Sequence, residues 1–219
     1  LRDACRRFAI DTDHVYLSGH GTGGEVAWDL GLSHPDLWAG VIPISAKADR
    51  YCRFYRENAS QLPVYMVLGE LDAGKLSDSS PVLDWMIARQ YNVSVSEFFG
   101  RCEDHFSDEI LNLFDWMPRH RREFFPREIA VETMRPWDNF FWWVEVEGLT
   151  ERSILPPDVW PAPRGVRPMS VEAEVRANGT ISVRTGADQV TLWLAPELVS
   201  FSSPVSISVN GRRNRRDDD

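Results

Sequence analysis

Apolar and polar positions follow two different rhythms along this chain, and the change between them falls near Arg122. In the first stretch, short apolar runs alternate with segments of helical spacing. LRDACRRFA (Leu1–Ala9) has an amphipathic helical pattern, DTD is a polar turn, and VYLS (Val15–Ser18) predicts a short strand. EVAWDLGLSH (Glu25–His34) predicts a helix that stops before Pro35, because the residue preceding a proline disfavours the α region. AGVIPIS (Ala39–Ser45) and LPVYMVLG (Leu62–Gly69) are continuous apolar runs of strand length. Such runs suit strands buried on both faces of a parallel sheet. SPVLDWMIARQY (Ser80–Tyr91) reads as a helix, VSVSEFFG (Val93–Gly100) as a strand and SDEILNLFDWM (Ser107–Met117) as a helix. The alternation predicts an α/β fold with a parallel sheet and crossover helices.

Beyond Arg122 the pattern is mainly β. REIAVETMR (Arg127–Arg135) and FFWWVEVEG (Phe140–Gly148) are rich in aromatic and β-branched residues and predict strands. A proline-dense stretch, ILPPDVWPAPRGVRP, reads as a linker. VEAEVRANGTISVRTG alternates around Asn178-Gly179, a strong hairpin signal, and VTLWLAPE and PVSISVNG continue the β pattern. Residues from about Pro126 to Asn210 therefore form either a small second domain or a β extension of the first. The expected boundaries are 1–125, 126–210 and a charged tail at 211–219.

Composition narrows the function classes. The 219 residues suit one large domain or two small ones, and 43% hydrophobic with 26% charged residues indicates a globular chain. The net charge of −9 disfavours a nucleic-acid partner; RRNRR (Arg212–Arg216) is basic, but three aspartates follow it, and a solvated tail is the expectation. Cys5, Cys52 and Cys102 have neither paired nor metal-like spacing, so neither a disulfide framework nor a zinc site is expected. No metal or organic cofactor is implied. No apolar run is long enough for a transmembrane helix. The chain opens without an initiator Met, in what reads as the body of a helix, so the expectation is a fragment whose compartment, cytoplasmic or secreted, is left open.

The chemistry concentrates in YLSGHGTGGEVAWDL (Tyr16–Leu30). An apolar strand, a tight glycine-framed turn and a helix are the setting of a nucleophile elbow, where the central residue is strained and its neighbours must be small. Gly19, His20, Gly21, Thr22 and Gly23 fill that frame, with Gly21 at the centre. The longer run VYLSGHGTGGEVAWDLGLSHPDLWAGVIPIS resembles α/β-hydrolases of the esterase and peptidase-like group, which typically read GHSxGG, then AW, then HPDxFAG. The resemblance covers about Leu1 to Phe125 and corresponds to the C-terminal half of that fold, followed here by the mainly-β region. It implies that the earlier strands, and the loop supplying one oxyanion-hole donor, lie upstream. It further implies a small-molecule ester or peptide-like substrate.

In that fold the order along the chain is nucleophile, acid, histidine. The resemblance places Gly21 at the nucleophile, the Thr22 N–H in the oxyanion hole, Asp72 (in VYMVLGELDAG) at the acid and His105 (in VSVSEFFGRCEDHF) at the base. The usual loop pattern is G-x-G-H, whereas GRCEDH puts the histidine later, so Glu103 is the alternative occupant of the base slot. Ser18 is expected to face the sheet, His20 to pack under the elbow, and His34 and His120 to end helices.

Glycine can neither form an acyl-enzyme nor give up a proton. Loss of the nucleophile costs on the order of 10⁶ in turnover. Three alternatives stay open: a non-catalytic member whose pocket binds a ligand or partner, a slow hydrolase in which His105 and Asp72 activate a water, worth about 10²–10⁴-fold, or a binding module in the aromatic β region, motivated by WDNFFWWVEV (Trp137–Val146). The plain alternative for that last run is ordinary packing, since alternating aromatic strands bury one face.

Overall fold

The computed structural model describes residues 2–214 and divides between Phe124 and Phe125 into two compact units. The first contains α1 (Arg2–Arg7), β1 (Tyr16–His20), α2 (Thr22–Ser33), β2 (Gly40–Ile44), β3 (Val64–Gly69), α3 (Lys75–Ala88), β4 (Val93–Phe98) and α4 (Ile110–Trp116). Its strands form a four-stranded, all-parallel sheet in the order β1-β2-β3-β4. This is the α/β arrangement that the alternation predicts. The unbroken apolar runs became the two central strands, β2 and β3, which are buried almost throughout, while the edge strands β1 and β4 are half exposed. Burial on both faces explains the pattern: Ile42 and Val67 pack with Phe106, Leu113 and Trp116, whereas Val41 points at α2.

Local differences from the sequence expectations have identifiable causes. Helix α2 starts at Thr22, not at Glu25. Gly21 caps it, with its carbonyl accepting from Gly24 N and Glu25 N at 2.9 and 3.1 Å. Helix α3 starts at Lys75 and carries Pro81 inside it, where Ser80 had been the expected start. Proline removes one backbone donor. The adjacent Ser79 and Ser80 hydroxyls donate to the Lys75 and Leu76 carbonyls at 2.7 and 3.0 Å. The segment between β2 and β3, for which no element was expected, forms 3-10 turns at Arg50–Arg53 and Arg56–Gln61. Its Tyr51, Cys52, Tyr55 and Asn58 are buried, and Asn58 Nδ2 donates to the Leu32 carbonyl at 2.7 Å. Of the expected Leu1–Ala9 helix, Leu1 lies outside the described residues and the helix ends at Arg7.

The second unit contains β5 (Glu128–Thr133), β6 (Phe140–Phe141), β7 (Val144–Glu147), β8 (Met169–Val175), β9 (Thr180–Thr185), β10 (Gln189–Leu192), β11 (Ser206–Val209) and β12 (Arg212–Asn214). They form a five-stranded sheet, β12-β11-β9-β8-β5, and a three-stranded sheet, β10-β7-β6. One core joins both, with Val131, Val171, Val183, Phe141 and Val146 among its fully enclosed side chains. The expected hairpin at Asn178-Gly179 is present, with Val175 opposite Ile181 and Gly179 at φ +77°.

Phe140–Gly148, read as one strand, is instead a hairpin. Phe141 pairs with Val144 across a two-residue turn, and Trp142 takes φ +55°. Nothing in FFWW signals a turn, because tryptophan rarely adopts positive φ. Burial of Trp143, whose indole N–H donates to the Pro126 carbonyl at 2.8 Å, holds the turn in place. The start of the expected charged tail is also ordered: Arg212–Asn214 pair with β11 across an Asn210-Gly211 turn, both turn residues having positive φ. Residues 215–219 lie outside the described residues.

Candidate functional site

The strand-to-helix turn after β1 is tight and strained at its centre. Gly21 adopts φ +55°, ψ −124°, a region L-residues occupy only under strain. Its N–H donates to the Ile44 carbonyl at 2.9 Å, which ties the turn to the end of β2. Strand and helix approach so closely that a Cβ on Gly19 would lie 2.1 Å from the Gly23 carbonyl oxygen, and one on Gly24 2.5 Å from Ala46 Cβ. The first intrahelical donors are Gly24 N and Glu25 N, so the Thr22 and Gly23 N–H groups at the start of α2 are not used by the helix. Thr22 itself is exposed.

Over this turn stands Glu103. A Cβ on Gly21 would lie 3.0 Å from Glu103 Oε1. Glu103 Oε2 pairs with Lys75 Nζ at 3.1 Å, and its Oε1 is 3.9 Å from His20 Nδ1. The loop that carries Glu103 is pinned on both sides. Phe106 is buried and stacks on Phe98 with ring centroids 5.1 Å apart. Arg101 clamps Asp104 and Asp108 at 2.5 and 2.8 Å. The His105 backbone N–H, then the Arg101 guanidinium, hold the Asp104 carboxyl below the usual carboxylate range. The same loop lies on the end of β3, where a Cβ on Gly69 would lie 2.3 Å from the Arg101 carbonyl oxygen.

Asp72, in the turn after β3, is buried. Its Oδ2 accepts from Ser45 Oγ at 2.8 Å and from Gly69 N at 3.1 Å. Its Oδ1 is buried with no hydrogen-bond partner among the described residues. His105 is exposed, and its ring lies against His20 with centroids 5.9 Å apart. Among the described residues no hydrogen bond joins Asp72 to His105. The structure thus brings Gly21 together with Glu103, Lys75 and His20, and leaves Asp72 bound to Ser45.

The remaining candidates fall as follows. Ser18 Oγ donates to the Ile42 carbonyl at 3.0 Å, committed to the sheet. His20 does not pack beneath the elbow: it stands exposed at the rim, bonded to the Asp104 carbonyl at 2.8 Å, because the close contact of β1 with α2 leaves no room below. His34 caps the end of α2, and His120 ends the 3-10 turn after α4. Cys5, Cys52 and Cys102 are free. Among the described residues no group of His, Cys, Asp and Glu is placed to hold a metal ion, and no helix is long and apolar enough to cross a membrane. Sequence reading missed Lys75 and Ser45. The lysine in LDAGK had a weak signal, since a cation in the first turn of a helix opposes the macrodipole and calls for an acidic partner. Ser45 had none.

No protein-family model matches the chain, and no curated protein matches it. Among solved structures it is similar to a thermostable esterase, at 18% identity and a TM-score of 0.46 over 55% of this chain and 34% of that one. It is also similar to esterase PE8 at 19% identity and a TM-score of 0.46, over 54% of this chain and 56% of that one. Arabidopsis thaliana SOBER1 is similar at 15% identity and a TM-score of 0.45, over 54% of this chain and 58% of that one. The chain therefore spans between 34% and 58% of the length of these structures.

Proposed function

We propose that this chain carries an elbow site of the serine-hydrolase type that holds a small ester- or peptide-like molecule, or a partner, without cleaving it. One observation carries the reading: the Glu103 carboxylate, braced by Lys75, stands over the bare Cα of Gly21. That carboxylate is held by the Lys75 ammonium at 3.1 Å, which directs its lone pairs at a cation rather than at a reactant proton. Covalent catalysis lacks its attacking group, and Ser18 and Ser45 both spend their hydroxyl hydrogens elsewhere. Among the described residues no carboxylate is hydrogen-bonded to the ring of His105, the base in the slow-hydrolase alternative, as that mechanism needs.

Two features support descent from a working triad geometry. The turn keeps its strained φ and ψ although glycine needs no such frame to present a side chain. The buried Asp72 Oδ1 lacks the donor that a histidine ring would supply, and an unsatisfied buried acceptor costs about 1–3 kcal/mol. The remaining groups at the turn, the Thr22 N–H, Lys75, His20 and Glu103, suit a polar ligand of mixed charge. The test is turnover of p-nitrophenyl acetate by the wild type and by His105→Ala. We expect both to match a protein-free control. Turnover by the wild type that disappears in His105→Ala overturns the reading.

A further inference from the structure

The three-stranded sheet β10-β7-β6 has one face in the core and one in solvent. Its register fixes the membership of each. Phe141, Val144, Val146, Val190 and Leu192 turn inward. Phe140 lies opposite Glu145, and Glu145 lies opposite Thr191, so these three share the outer face across all strands of the sheet. Trp193 follows two residues after Thr191, and its Nε1 donates to Glu145 Oε2 at 2.9 Å. Phe140 is 40% exposed and Trp193 56% exposed. Two exposed rings thus flank a carboxylate, about 10 Å apart in strand spacings. Glu147 and Gln189, paired with one another, extend the same face.

We propose that this face binds a carbohydrate chain. The flat rings offer surfaces for the apolar C–H faces of pyranose units, and an aromatic ring is the side chain that combines large contact area with low entropy cost. Between and beside them, Glu145, Glu147, Gln189 and Thr191 supply the acceptors and neutral hydrogen-bonding groups that sugar hydroxyls require. The Glu145–Trp193 bond fixes the indole before any ligand arrives, which lowers the ordering cost of binding. β6, β7 and β10 contain no lysine or arginine, so these strands offer an anionic ligand no counter-charge. A protein partner would need a contiguous apolar centre, whereas here carboxylates separate the rings. A cationic ligand is the competitor, since rings and a carboxylate also suit an ammonium group. One Glu145 oxygen is already committed to the indole, and the uncharged Gln189 and Thr191 favour hydroxyls.

The test is affinity electrophoresis of the whole chain in gels containing xylan, β-glucan or mannan, with tetramethylammonium titrated separately by tryptophan fluorescence. We expect retardation by at least one polysaccharide, weakened about tenfold or more in Trp193→Ala and in Phe140→Ala. Trp193→Phe should keep most of it, and Phe99→Ala, an exposed ring of the other unit, should behave as wild type. Far-UV circular dichroism of each variant separates lost binding from lost folding. Absence of retardation in all three gels overturns the proposal. So does retardation that Trp193→Ala and Phe140→Ala, both folded, leave unchanged, or a response to tetramethylammonium alone.

Discussion

Gly23 and Gly24 are neighbours in the first turn of α2, and alanine is expected to act in opposite directions at them. At Gly23 a Cβ meets nothing within 4 Å. Alanine there gains helix propensity, up to about 1 kcal/mol, chiefly by restricting the unfolded chain. At Gly24 a Cβ would lie 2.5 Å from Ala46 Cβ, 2.7 Å from the Gly19 carbonyl oxygen and 3.0 Å from the Ile44 carbonyl oxygen. Carbon atoms in contact prefer about 3.5–4.0 Å, so the helix must retreat by roughly an ångström from a strand it is bonded to. Overpacking of this kind costs about 1–3 kcal/mol. Two of the three atoms are backbone, so relief by a side-chain rotation is closed. The two variants should therefore differ by about 2 kcal/mol or more, or about 1 M in urea midpoint at a typical slope. Urea unfolding followed by tryptophan fluorescence reads it directly. A Gly24→Ala variant as stable as Gly23→Ala would refute the close approach of β1 and α2, and with it the elbow.

Arg135 and Asp138 form an ion pair at 2.5 Å with both side chains almost wholly buried, so Arg135→Ala, which breaks that buried pair, should cost about 3–5 kcal/mol by urea unfolding; a loss below about 1 kcal/mol would contradict that burial. Asp104 should make its stabilising contribution above its unfolded value of 3.8 and lose it as pH falls through its depressed folded value. The melting-temperature gap between wild type and Asp104→Asn should therefore be full near neutral pH and close in acid. A gap that widens in acid would reverse the assigned cause. Trp28 is fully buried in α2, and Trp28→Ala should cost about 3–5 kcal/mol in the same urea assay.

Legibility in the sequence followed the strength of the local physics. β2 and β3 were readable because burial on both faces requires uninterrupted apolar runs, and Asn178-Gly179 because positive φ selects those residues. In the glycine turn after β1, Gly19 and Gly21 were readable from close approach and positive φ, whereas the other crowded position is Gly24 and not Gly23, where a Cβ meets nothing. The start of α3 was not readable, since Pro81 mimics a first-turn proline while serine hydroxyls cover neighbouring carbonyls. The Phe140–Glu147 hairpin was hidden because tertiary burial of Trp143, not turn chemistry, sets it. At the site, chain order pointed to Asp72 and His105. What stands over Gly21 depends on where a loop pinned by Phe106 and Arg101 releases its side chains, and that brings Glu103 forward. Spacing along the chain carried both residues as candidates for that place.

The central claim is that the site over Gly21 has no activated nucleophile. Its most direct test is intact-mass analysis after exposure to a fluorophosphonate, which adds covalently to an activated hydroxyl. We predict no adduct on the wild type or on Gly21→Ser, and an adduct at residue 21 in Gly21→Ser/Glu103→His, where a histidine replaces the carboxylate that stands 3.0 Å from a residue-21 Cβ and supplies a general base. An adduct on the wild-type chain, at Thr22, Ser18 or any other hydroxyl of the turn, would contradict the claim.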